Sequence, residues 1–322
     1  MDKFAKMVYK DKALVYKYKG ETEVPPLEMI DDILTISKCS ITSLTMNATI
    51  NAFMENKKLK LSQEKCCVMH VGKTQGNCHE LKVHGEKMHK ADSTKYLGDI
   101  IHKSGKVNEN IANRHVKAVA SLSIIRAILE DIPLGKYRTE IGLELRQAMF
   151  INSVLFNSET WHGLKDADIT QLNIIDHQLL RFICNSHSKT PVEFLYLETG
   201  SIPLSYIISS RRLNYLHTIV TRDDEELTKR VYLTQKQNPS PGDFVKLIEE
   251  DFKTIGEEMN DNMIKKMEKE QFKTFVKNKI KEATLKYLKE KQAGHSKVNN
   301  IEYSKLLRQP YLSSSIFNNK EC

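Results

Sequence analysis

An apolar run near the start of the chain is broken by two adjacent acids. Leu27, Met29, Ile30, Ile33, Leu34 and Ile36 surround Asp31 and Asp32. Apolar residues on both sides of a short polar pair predict strand, tight turn, strand. Pro25-Pro26 ahead of the run excludes a helix there. Before it, Tyr9, Val15 and Tyr16 among many lysines predict a short helix or strand entering a loop. After it, Ile41, Leu44, Ala48, Ile50 and Phe53 follow a helical period that closes at Asn56-Lys57-Lys58. A short connection, Leu59 to Ser62, leads to an expected strand from Cys66 to Val71. Gly72 to Gly85 predicts a loop or hairpin. Lys95 to Ile101 predicts a compact strand with Gly98 inside it, a position that often marks a bulge.

From Val107 the pattern turns helical. Ile111, Val119, Leu122, Ile125 and Leu129 mark one apolar face, ended by Pro133-Leu134-Gly135. Further helices are expected from Arg138 to Phe156, from Asp166 or Asp168 to Cys184, just after Pro191, and from Leu204 to Val220. Either aspartate is a good N-cap. From Asp243 the chain is helical and basic, and between Lys265 and Lys291 lysines outnumber acids roughly ten to four. The predicted fold class is α+β: a small antiparallel sheet with a helix (about 1–105), a mostly helical region (106–238) and a basic helical tail (239–322).

Composition adjusts this picture only slightly. The 322 residues allow about two or three packed units, and 40% hydrophobic content is enough for a core. A formal charge of +8 favours an anionic partner. The six cysteines, Cys39, Cys66, Cys67, Cys78, Cys184 and Cys322, are irregularly spaced and read as reduced thiols. No secretory leader and no membrane span of roughly 18 apolar residues is expected, which points to cytoplasm or nucleus.

The acid pair carries the candidate chemistry. Two carboxylates at the tip of a buried hairpin repel each other and are hard to keep without a cation. Magnesium, a hard ion that takes a few carboxylates plus substrate phosphates, is the natural candidate, with manganese as its substitute. The plainer alternative is a solvated Asp-Asp turn. Cys66, Cys67, Cys78, His79 and His84 lack the spacing of a structural zinc site. Gly72-Lys73-Thr74 lacks the earlier glycine of a phosphate loop. Trp161 is expected in the helical core.

The order of these segments resembles that of reverse transcriptases from non-LTR (LINE-like) retrotransposons. The segments are the Asp31-Asp32 hairpin, the helix after it, Leu59 to Cys66, and Tyr96-Leu97-Gly98. Met29 stands where that family usually has an aromatic residue. Ser158 to Trp161, Leu179 to Ile183, Thr190 to Gly200 and Arg211 to Leu216 are similar to the helices that follow the palm in the same elements. The resemblance implies a partial polymerase palm followed by a helical thumb and connection region. It implies metal ligation by Asp31 and Asp32, with Asp31 the principal ligand. Lys65 would protonate the leaving pyrophosphate, and Tyr96 and Gly98 would grip a primer end. The partners would be an RNA or DNA template–primer and a deoxynucleoside triphosphate.

Each role has a plainer alternative. Lys65 fits a solvated lysine, and Tyr96 and Gly98 fit a core strand. Arg211 and Arg212 would contact phosphates or simply cover a helix surface. Lys265, Lys266, Lys269, Lys273 and Lys277 fit one cationic face for phosphates. The same tail fits an amphipathic helix that docks Met263, Met267, Phe272, Phe275, Val276 and Ile280 on the body. Two-metal nucleotidyl transfer also needs carboxylates from a second strand. The thirty residues before Asp31, which include Asp2 and Asp11 among lysines, predict no such strand. The fingers of the family and a Cys-x-x-Cys segment are likewise unmatched. The chain therefore reads as an excerpt with weak metal binding and little or no polymerase activity alone.

Overall fold

The computed structural model describes residues 14–72 and 79–292. Tyr9, Cys78 and Cys322 lie outside the described residues, as do Lys73 and Thr74. The fold is α+β, and its chain divides into two compact units. The first comprises residues up to 109 together with 223–239. The second comprises 110–222 and the segment from 240 onward. The boundaries thus fall elsewhere than the three sequence segments: residues 223–239 join the N-terminal part, and the basic tail shares a unit with the central helices.

In the first unit, short strands pair two by two rather than in one sheet. β1 (Tyr16–Tyr18) pairs with β2 (Thr22–Val24), and β3 (Leu27–Met29) with β4 (Asp32–Leu34), both antiparallel. β5 (Cys67–Val68) runs parallel to β8 (His89–Lys90), so the strand expected from Cys66 to Val71 is two residues long. β6 (Lys82–Val83) and β7 (Glu86–Lys87) form a hairpin, as do β9 (Ser93–Tyr96) and β10 (Asp99–His102). Gly98 therefore lies in a turn between two strands, not inside one. Leu97 (φ 47°) and Gly98 (φ 91°) both have positive φ, as a two-residue type I′ turn requires.

Helix α1 (Ser40–Asn56) anchors the hairpins. Its Met46 packs with Leu14, and Ile33 of β4 joins Ile50 and Phe53 in the same apolar cluster. Asn47 and Asn51, one turn apart, both donate to the Lys82 carbonyl, at 2.8 and 3.0 Å. The helix of residues 223–239 packs on β2. There the Thr22 and Thr234 hydroxyls lie 2.6 Å apart, and Gln235 donates to the Tyr18 hydroxyl.

The second unit is a helical assembly. α2 (Asn108–Glu130), which begins at the unit boundary, buries Ile111, Ala118, Leu122, Ile125 and Leu129. Val119, expected on that face, is 44% exposed, because it lies one residue past the stripe at Ala118 and Leu122. α3 (Lys136–Leu145) runs into a π-helical stretch, Arg146–Ile151, and a last turn, Asn152–Val154. α4 (Asp166–Ile183) starts where Asp168 accepts the Lys165 backbone N–H. α5 (Val192–Thr199) ends at Gly200, whose φ of 63° suits a glycine stop. α6 (Leu204–Val220) is followed by α7 (Leu227–Gln237), the helix of the first unit already described. α8 (Phe244–Thr254), α9 (Asp261–Lys266) and α10 (Lys269–Gln292) complete the described residues.

α10 packs along α6. Phe272, Val276, Ile280 and Leu288, four residues apart or a multiple of it, are all buried. The docking alternative for the tail is thus realised, except that Met263 is 41% exposed. Among the described residues, no helix is long and apolar enough to cross a membrane.

Candidate nucleic-acid interface

The acid pair occupies a two-residue turn of the first unit. Met29 of β3 pairs with Asp32 of β4, leaving Ile30 and Asp31 as the two turn residues. Ile30 has φ 57°. A β-branched residue pays for that conformation, and sparsely populated backbone states of this kind cluster at functional sites. The tip is not buried as expected: Ile30 is 80% exposed, and both aspartates are exposed. Water therefore solvates the two carboxylates, and their repulsion needs no resident cation to offset it. What exposure leaves open is approach from outside, by an ion that arrives already bound to phosphate.

Tyr96 belongs to the same neighbourhood. Burial raises its phenol above the ordinary range, and the negative charge of Asp32 adds to the rise. The Tyr96-Leu97-Gly98 turn and the acid pair are thus within electrostatic reach of one another. Lys65 sits in an exposed turn, where its backbone N–H donates to the Ser62 carbonyl. Among the described residues, no hydrogen bond or ion pair joins Lys65 to either aspartate.

The expected phosphate contacts divide in the second unit. Arg212 turns inward. Its Nε and Nη2 reach the two carboxylate oxygens of Asp251 at 2.6 and 2.7 Å, and Ser209 donates to the same carboxylate at 2.6 Å. At 9% exposure this guanidinium is committed to the fold, so a phosphate role for Arg212 is set aside. A Lys at this position could not make the same two-pronged contact. Arg146 and Asp176 form a second buried pair of the same geometry, at 2.7 Å for both contacts.

Arg211 faces an open groove of about 530 Å³. Its guanidinium donates to the Leu155 carbonyl and lies 3.5 Å from the Asn152 amide oxygen. Burial depresses its pKa, and Glu159 partly counters this. Lys269 and Lys273, from the first turns of α10, line the same groove. A helix N-terminus adds its own positive end and free N–H groups. Lys273 also pairs with exposed Glu270 at 2.7 Å, a contact worth little in water.

Lys265 and Lys266 lie on α9, separated from α10 by a break at Met267, so the five lysines do not share one helix face. Lys277, one turn beyond Lys273, is exposed.

Sequence reasoning did not find the rest of the groove. Phe156 (44% exposed), Tyr215, Asn157 and Asn214 line it beside Glu159. His217 forms part of its wall, stacked on Phe272 at 5.1 Å and donating from Nε2 to the Met267 carbonyl. Asn214 donates to the Ser210 carbonyl, while its own amide oxygen is buried without a partner. Tyr215 stands one turn after Arg211 on α6, a local spacing, whereas only tertiary packing brings Phe156 and the α10 lysines beside them. With three cations against one acid, amides and two rings, the groove can hold phosphates and stack a base. Comparison of the chain with protein-family models, with curated proteins and with solved structures gives no match.

Proposed function

We propose that this chain is a reverse-transcriptase-like protein of retrotransposon origin. In this reading the first unit is a partial palm and the second a thumb-like helical region. The observation that carries the reading is the exposed two-residue turn at Ile30-Asp31, with Tyr96 within electrostatic reach of Asp32. Asp31 and Asp32 would receive Mg²⁺ or Mn²⁺ together with the phosphates of a nucleotide, and would hold the ion weakly without them. Lys65 would serve the leaving group only if substrate binding brings it near. Polymerase chemistry from these residues alone is expected to be weak, because two neighbouring carboxylates make a poor two-ion site.

A second reading is favoured by the groove of Arg211, Lys269 and Lys273: a nucleic-acid-binding protein of the same descent that does not polymerise. Primer extension on an RNA template with Mg²⁺ or Mn²⁺ separates the two. Incorporation that Asp31→Ala abolishes establishes the first. Binding of an RNA–DNA hybrid without incorporation establishes the second. Absence of hybrid binding at low salt removes both.

A further inference from the structure

Another cleft, in the second unit, gathers arginines without an acid. It has a volume of about 290 Å³ and lies at the C-terminal end of α4. Arg126, Gln178, Arg181, Phe182, Asn185 and the serines 186 and 188 line it, and no carboxylate is among them. The Arg126 guanidinium lies over the Phe182 ring, 5.3 Å from its centroid, and Arg138 lies over the same ring at 4.8 Å. The Nε atoms of Arg126 and Arg181 are both shielded from solvent and without an acceptor.

Charge at a helix C-terminus has an ordinary explanation, which is complementing the helix dipole. That explanation is too small here. The dipole end amounts to about half an elementary charge. Arg138 already meets it, donating to the carbonyls of Phe182 and Ile183. Arg181 adds one bond from Nη2 to the Thr190 carbonyl at 3.0 Å. Among the described residues, no hydrogen bond or ion pair engages Arg126, and the Nε of Arg181 has no acceptor.

We propose that this cleft is a phosphate-binding site, independent of the palm reading. Two guanidinium forks, with hydroxyls and amides at the rim, offer more donors than a planar carboxylate can accept. A tetrahedral phosphate, with charge spread over several oxygens, uses them. The Phe182 ring holds the Arg126 fork flat and in place. The phosphate could be carried by a small phosphomonoester or by a nucleic-acid backbone; the chemistry of capture is the same.

Calorimetric titration of the full chain with inorganic phosphate, in chloride buffer of matched ionic strength, tests this. Saturable binding is expected, weakened about tenfold or more in Arg126→Gln and in Arg181→Gln. Lys246→Ala, on α8 and lining neither this cleft nor the Arg211 groove, should leave it unchanged. If a Gln variant does not fold, Arg126→Lys keeps the charge and loses the fork, and should still bind more weakly. Displacement by a nucleoside monophosphate but not by an oligonucleotide without terminal phosphates identifies a phosphomonoester ligand. Displacement by both identifies the backbone. No saturable binding by the native chain, or equal binding by the native chain and the arginine variants, overturns the proposal.

Discussion

Two thiols of the same chain sit at opposite ends of reactivity. Cys39 is exposed at the N-terminus of α1, and the Thr42 hydroxyl 3.1 Å from its Sγ, with the Thr42 backbone N–H, lowers its pKa. Burial pushes Cys184 up to about 12. Because the thiolate is the nucleophile, brief alkylation near pH 7.5 should label Cys39 ahead of Cys66 and leave Cys184 unlabelled, as read by peptide mass spectrometry. His177 gives a pH dependence. It lies 2.7 Å from the Tyr196 hydroxyl, and burial lowers its pKa below the ordinary 6.5. The unfolded chain then takes up the proton first, so this contribution is present above about pH 6.5 and lost as pH falls below it. Half-buried Glu198, whose pKa is raised by burial, acts in the opposite sense at lower pH. The expected outcome is therefore differential: the urea midpoint should fall less between pH 7.5 and 5.5 in His177→Gln than in the native chain. Neither environment was legible in the sequence, since a cysteine or histidine letter carries no burial.

Elements divide into those that hold the fold and those that face outward. Gly142 of α3 belongs to the first kind. A methyl group added there would stand 2.9 Å from Ile183 and 3.2 Å from Leu129. Gly142→Ala should cost about 1–3 kcal/mol, measured by thermal or urea unfolding, despite the better helix propensity of alanine. The Arg211-Arg212 dipeptide shows the division most sharply. Neighbours on a helix point about 100° apart, so Arg212 meets Asp251 inside while Arg211 reaches the groove. Arg212→Ala leaves a buried carboxylate unpaired and should destabilise by about 3–5 kcal/mol. Lys273→Ala should leave stability nearly unchanged. If the groove binds nucleic acid, it should also lower the salt slope of binding by about 1, measured by titration at several salt concentrations.

The two units differ in how they are held. The strands of the first are two to four residues long and pair only in twos, with α1 and α7 as their supports. Isolated two-stranded ladders are marginal in water and leave edges unpaired. In the second unit the longer helices run to between 17 and 24 residues and bury apolar stripes on one another. Limited proteolysis should therefore cut first within 14–105, read by mass spectrometry of the earliest fragments. Early cleavage within 140–220 would contradict this.

The sequence alone determined where most elements run. Its 3.6-residue periods, proline breaks and glycine stops are local signals, and Leu204 to Val220 and the acid-tipped hairpin follow directly from them. Tertiary structure decided which side chains are spent and which are free. The same arginine letter became a buried ion-pair partner at 212, a groove wall at 211 and an acid-free cleft at 126 and 181. It also moved residues 223–239 into the first unit and turned the expected buried acid pair outward. Burial and pairing depend on residues brought together from far along the chain, and local periodicity does not encode them.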